Sequence, residues 1–338
     1  MVKRTNIKMV TLNPHFSPDW DDASVLLPES LLFNLSFPPE SPRTLDKSIW
    51  VESMWMRTEE WRGKEVVLER PRKAIGIMRP AEISPTAQIE FENRAGTQVD
   101  EAAEQALIEA FFPPRGWMAD TLVERSMMLL AARETKGKVL VGGLGLGIYP
   151  QMLLLLKRPV SSITIVEAHP EVIRLIEPCV TQFAQSYGVS VRIVPDTIEH
   201  FMQNTDERFD TCYLDTWGDL HYKFLGYINY LISLASKIAT PEGKIYCWGY
   251  NFMYNELIKV AVYLEQNPSH KNRFPTNDNA CLKAYLDWRS AKKIKTSLPI
   301  VRSAAARLAV ETVDATPLNL FIDVSNSATF NKAHKLED

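Results

Sequence analysis

From Asp120 onward, short apolar runs alternate with longer stretches whose apolar residues recur at helical spacing. Five runs are strand-like: KVLVGG (138–143), SITIVE (162–167), VRIVPD (191–196), TCYLD (211–215) and KIYCWGY (244–250). The helical stretches Ile148–Arg158, Pro170–Ser186, Thr197–Gln203 and Tyr222–Ala239 lie between them. Strands that are apolar almost throughout belong in a parallel sheet covered on both faces, and right-handed crossovers then give a doubly wound α/β fold. A helix opened by Asp120-Thr121 and broken at Gly137 precedes the first strand, and another follows the fifth near residues 252–266. Leu308–Val313 and Leu318–Val324 read as a closing antiparallel pair. The expectation is a mostly parallel seven-stranded sheet.

Upstream the regularity fades. Residues 1–50 carry six prolines and little periodicity, yet also Trp20, Phe33, Phe37 and Trp50. That apolar weight predicts an irregular arm packed on something, not a free tail. Residues 51–115 mix strand-like pieces at Glu65–Leu68 and Ala74–Met78 with charged turns and a helix-like run from Asp100 to Phe111. The expected division is an N-terminal arm and small, irregular, β-containing lobe over residues 1–116 and a ligand-binding catalytic domain over residues 117–338.

Composition narrows the function classes. With 46% hydrophobic and 23% charged residues, the 338-residue chain has the balance of a soluble globular protein. A net charge of −3 gives no general pull toward nucleic acid or anionic membrane. The N-terminus has no signal-like apolar core, and the apolar runs are too short to span a bilayer, so a cytoplasmic address is expected. Cys179, Cys212, Cys247 and Cys281 form no metal-ligand pair and read as reduced structural thiols, so no metal is expected. Residues 269–308 hold nine Lys or Arg against two Asp. Without interleaved aromatics, that excess reads as a solvated helix face.

The chemistry begins at VLVGGLGLG, where the first sheet strand turns into a helix. Gly143, Gly145 and Gly147 allow a sharp turn and a close approach of backbone to ligand, and the helix N-terminus beyond offers N–H groups. A phosphate-cradling P-loop needs Lys-Ser/Thr after its last glycine, but Ile148-Tyr149 follow. The dinucleotide fingerprint needs glycine at 148 and is denied by Ile148. What remains is GxGxG. Glu167 ends the second strand twenty residues after Gly147, where a carboxylate can accept hydrogen bonds from ribose hydroxyls. Asp196 and Asp215 end the third and fourth strands, and topology brings all four groups to the same sheet edge.

This ordered set resembles the class I, Rossmann-like, S-adenosylmethionine-dependent methyltransferases over roughly residues 117–250. The resemblance implies that Gly143, Gly145, Gly147 and Glu167 hold S-adenosyl-L-methionine, with Asp196 and Thr197 beside the adenine. It implies a catalytic loop starting at Asp215-Thr216-Trp217-Gly218-Asp219, and a segment GWMADT (Trp117, Asp120, Thr121) folded over the methionine end. Most of that superfamily carries an acid two residues before the first loop glycine, where this chain has Val141. Spermidine-synthase-like proteins also have an apolar residue there and a similar preceding helix. They differ in carrying aspartate at the position of Leu146 and a Ser/Asp/Pro-rich catalytic loop, so polyamine synthesis does not carry over.

Simpler roles compete for several residues. Asp196 fits a cap on the next helix as well as an adenine contact, and Asp215 and Asp219 fit caps on the helix near Tyr222. Asp120 and Thr121 fit a capping box as well as a cofactor lid. Trp217, Tyr222, Trp248 and Tyr250 gather at the fourth and fifth strand ends, where aromatic faces can attract a sulfonium or ammonium or simply fill the core. The assigned cofactor residues are Gly143, Gly145, Gly147, Glu167, Asp196, Thr197, Asp215, Trp217 and Asp120; Asp215, Asp219 and Tyr222 are the catalytic set.

The leading expectation is a transferase moving a methyl group to a small-molecule nucleophile. One alternative uses the same cofactor for aminopropyl or aminocarboxypropyl transfer, or for cyclisation releasing methylthioadenosine. A non-catalytic Rossmann-like scaffold is another. The expected partner is a small-molecule substrate, with neither nucleic acid nor membrane, and a homodimer remains open.

Overall fold

The computed structural model describes residues 35–40, 49–54, 58–61, 64–67, 72–77, 116–218, 220–274, 276, 279–292 and 297–316. The N-terminal lobe contains strands β1 (Ile49–Met54), β2 (Thr58–Trp61), β3 (Lys64–Val67) and β4 (Arg72–Ile77). β2 and β3 pair antiparallel as a hairpin, while β4 lies between β1 and β5 (Gly116–Ala119), antiparallel to both. The lobe sheet thus takes its third strand from the segment that leads into the first helix. The helix-like run Asp100–Phe111 lies outside the described residues.

Part of the arm is docked, as its apolar content predicts. Gln151 is buried, and its side-chain amide pairs with the backbone of Ser36 like a strand neighbour. It donates to the Ser36 carbonyl at 2.8 Å and accepts the Ser36 N–H at 2.6 Å. Leu35 and Val51 join the main hydrophobic core.

Beyond Ala119 the chain alternates: α1 (Leu122–Glu134), β6 (Gly137–Gly142), α2 (Ile148–Leu155), β7 (Val160–Glu167), α3 (Pro170–Ser186), β8 (Ser190–Pro195), α4 (Ile198–Asn204) and β9 (Phe209–Leu214). A 3-10 turn at Tyr222–Phe224 then leads into α5 (Leu225–Ile238), β10 (Ala239–Cys247) and α6 (Tyr250–Gln266). Strands β10-β9-β6-β7-β8 form one sheet in that order, each parallel to its neighbour. Val139, Leu140 and Val141 of β6 are all buried, as a central strand covered on both faces requires. Edge strand β8 keeps half-exposed and exposed positions. α3 lays Val172, Ile176, Val180 and Ala184 on the core at four-residue spacing. The strand order reverses between β6 and β9, the switch point where open α/β sheets bind ligands.

The end of the chain departs from expectation. Leu308–Val313, expected as a strand, instead finishes α8 (Leu298–Glu311), which follows α7 (Ala280–Ala291). Pro299 stands in the first turn of α8, and Val301, Ala304, Ala305 and Ala309 face inward at helical spacing. The alanines upstream extend a helix through a segment that looks β-prone by itself. Leu318–Val324 lies outside the described residues, and the parallel sheet has five strands among those described. No helix among them is long and apolar enough to cross a membrane.

Candidate functional site

Backbone hydrogen bonds join the five strand ends in one line. Trp248 N–H donates to Leu214 O at 3.0 Å, Asp215 N–H to Gly142 O at 2.8 Å, Gly143 N–H to Val166 O at 2.8 Å, and Asp196 N–H to Glu167 O at 3.2 Å. Trp248, Asp215, Gly143, Glu167 and Asp196 therefore stand side by side along the carboxyl edge of the sheet. The parallel register places there the strand-end groups that the sequence pattern singles out.

The loop glycines differ in what their bareness serves. Gly143 has φ +91°, and a Cβ there would lie 2.1 Å from the Asp215 carbonyl oxygen. It lets the loop cross the end of β9. Gly145 has φ +50°, and a Cβ would meet only the Met118 sulfur, at 3.0 Å. Below β5 this leaves a bare stretch of backbone, a cradle that a larger residue would fill. Gly147, at φ +70°, is the N-cap of α2, and its Cβ would run into Val180 of α3 at 2.3 Å. The third glycine serves close helix packing.

Glu167 is buried, and its two oxygens accept the N–H groups of Leu144 and His169, each at 2.8 Å. Burial raises its carboxyl above the usual carboxylate range, against the opposing pull of backbone donors at Leu144, His169, Gly145 and Ala168. The acid that ends β7 thus shapes the glycine loop as well as facing the edge. His169, just beyond it, is pushed down to about 4 by burial, with the Glu171 carboxylate working the other way.

Asp196 is bound locally. It accepts the Thr197 N–H at 2.7 Å and pairs with His200 Nδ1 at 2.7 Å, while Thr197 caps α4 through its hydroxyl. Its side chain stays 25% exposed at the edge, so the capping role leaves it accessible. Asp120 is nearly inaccessible and pairs bidentately with fully buried Arg125, at 2.5 and 2.6 Å. Its oxygens anchor the start of α1. Trp217 is buried, and its indole N–H meets no acceptor among the described residues. Tyr222 is buried in the 3-10 turn, stacked on His221, with its N–H directed to Glu256 at 3.3 Å. Tyr250 lies deeper: its hydroxyl donates to Asn229, far from any ligand role. Asp219 lies outside the described residues.

One group at this edge has no counterpart in the sequence expectations. Glu124, in the first turn of α1, is pushed up to about 7 by desolvation, with the nearby Trp248 indole opposing and the Asp120 charge reinforcing the shift. Its spacing from Thr121 offers a capping box and so hides any other purpose. No group of His, Cys, Asp and Glu among the described residues could hold a metal ion.

Fold and edge together define a Rossmann-like α/β arrangement whose switch point is lined by glycines and flanked by acids, a candidate ligand site. No protein-family model matches the chain, and no curated protein matches it. Among solved structures it is similar to the SAH-bound methyltransferase PaMTH1 of Podospora anserina, at 15% identity and a TM-score of 0.28, covering 67% of this chain and 76% of that one. It is also similar to a conserved hypothetical protein of Streptococcus pyogenes, at 16% identity and a TM-score of 0.29, over 37% of this chain and 74% of the other.

Proposed function

We propose that this chain is an S-adenosylmethionine-dependent transferase that delivers a methyl group to a small-molecule nucleophile. The observation that carries the reading is the pairing of the glycine loop with Glu167: a buried carboxylate at the end of β7 holds Leu144 N–H at 2.8 Å, beside the bare backbone of Gly145. A carboxylate has about four acceptor positions, so it can share itself between loop amides and ribose hydroxyls. When bound, the cofactor supplies an electrophilic methyl on a sulfonium. Gly143, Gly145 and Glu167 would hold its ribose and backbone-facing side, with Asp196 and Thr197 at the adenine end. Trp217 would wall the site. Asp215, at the end of β9, would orient the acceptor, with Tyr222 on the 3-10 turn that follows.

Direct attack on a sulfonium methyl needs little covalent help from protein. Positioning and exclusion of water supply much of the rate, and a base is needed only where the nucleophile carries a proton. The test is the nucleoside product. Purified chain incubated with S-adenosylmethionine and a metabolite extract should release S-adenosylhomocysteine. Methylthioadenosine would instead mean transfer of another sulfonium substituent, and no product with no binding would leave a scaffold.

A further inference from the structure

Three buried polar atoms at the carboxyl edge have no hydrogen-bond partner among the described residues. They are the Thr216 hydroxyl and the indole N–H groups of Trp217 and Trp248. Both tryptophans are packed away, at 4% and 8% exposure. A buried donor left unpaired loses its hydration and gains nothing in exchange, so native proteins rarely keep one without a use for it.

Distances gather the three on one stretch of the edge. Thr216 and Trp217 directly follow Asp215, and a Cβ at Gly143 would lie 3.6 Å from the Thr216 methyl carbon. The segment after β9 therefore begins against the glycine loop. Farther along, a Cβ at Gly249 would lie 2.1 Å from Leu220, so the same segment ends against the turn between β10 and α6. Trp248 stands in that turn, tied to the end of β9 by its backbone N–H on Leu214 O at 3.0 Å. The Tyr222 N–H, directed to Glu256 of α6 at 3.3 Å, fastens the segment just beyond. The donors thus lie at the ends of β9 and β10, across the glycine loop from Glu167 and Asp196.

We infer that Trp217 and Trp248, with the Thr216 hydroxyl, bind a neutral carbonyl oxygen of the acceptor substrate, an amide, lactam, ester or ketone. The inference rests on the cofactor reading, in which ribose and adenine take the ends of β7 and β8 and leave β9 and β10 to the acceptor. The donors select the group. An indole N–H only donates, so its partner must be an acceptor. All three donors are uncharged, and the buried cation Arg125 is committed to Asp120. A carboxylate would arrive without a counter-charge at an edge that already carries Asp215. A carbonyl oxygen has two lone pairs and takes two N–H groups without bringing charge.

The test reads the indole N–H signals by NMR in nitrogen-15-labelled chain loaded with S-adenosylhomocysteine. Trp217→Phe and Trp248→Phe keep an aromatic body, remove the donor and identify the two signals. Benzamide, benzoate and benzylamine serve as probes that share a ring and differ in the polar group. Benzamide should move both signals downfield saturably, benzoate should do so at least about tenfold more weakly, and benzylamine should not. Each variant should bind benzamide about three- to tenfold more weakly than wild type, the worth of one neutral hydrogen bond. If a variant fails to fold, the wild-type titration still decides, because two of the eight tryptophan signals must move. Signals indifferent to benzamide mean that Glu124 or another internal acceptor already holds the donors, and the inference is overturned. It is also overturned if all three probes act alike, or if S-adenosylhomocysteine alone moves both signals, which would assign the donors to its own carboxylate. Calorimetry with S-adenosylhomocysteine separates the levels of failure. Without binding, the cofactor reading falls and takes this inference with it; with binding but no response to benzamide, only the inference falls.

Discussion

Glu167 braces the glycine loop and, in the proposed function, also takes the ribose hydroxyls, so its replacement should reveal both. Loss of a charged acceptor of ribose hydroxyls should weaken S-adenosylmethionine and S-adenosylhomocysteine alike, by about 1.5–3 kcal/mol or roughly 10- to 150-fold. Glu167→Ala should also lower thermal stability, because the Leu144 and His169 N–H groups lose their acceptor. Calorimetry and a thermal melt on the same preparation measure the pair of effects. A change in affinity below about threefold would remove the ribose role and leave only the loop brace. The place of Glu167 was legible in the sequence because it follows from topology: an acid ending the second strand must arrive at the same edge as the loop. Glu124 was not legible. The Trp248 indole near it is remote in sequence, and the local Thr-x-x-Glu spacing already had a sufficient explanation.

At the scale of elements, α1 is fixed at its start by a buried ion pair and carries a partly desolvated carboxyl in its first turn. Asp120→Asn replaces the charged partner of buried Arg125 with a neutral amide, which should destabilise by about 3–5 kcal/mol. Chemical denaturation measures it; a loss under about 1 kcal/mol would make Asp120 a dispensable cap. Glu124 should act in the opposite sense. Its carboxyl rises from 4.5 to about 7 on folding, so the fold favours the protonated form. The resulting penalty is absent below the unfolded value, grows as pH rises through that interval, and is complete above it. Glu124→Gln should therefore melt higher than wild type at about pH 8, by at most about 3 kcal/mol, with little difference at about pH 4. His169 runs the other way: held down to about 4, it loses stability as pH falls below its unfolded 6.5. The five parallel strands and the helices between them were readable because each is a bounded apolar run or a periodic stripe. The end of α8 was not, since Leu308–Val313 is β-prone alone and helical only through the alanines before it.

Among the described residues, the N-terminal segments join the main core, and β5 reaches the glycine loop. The arm is clipped to α2 by the Ser36–Gln151 pair, while β5 carries Met118 to the glycine loop and then delivers α1. Ligand binding at the edge should thus stabilise arm and domain together, by about 2.7 kcal/mol at a hundredfold excess over the dissociation constant. The proposed function depends on the loop being a cofactor cradle, and one measurement tests that most directly. S-adenosylmethionine is titrated calorimetrically into wild type and into Gly145→Val, whose side chain would press on Met118 from a backbone at φ +50°. The account predicts saturable heat with wild type and none with the variant, the circular dichroism of both being native. Absence of binding to wild type, or equal affinity in the two proteins, would contradict it.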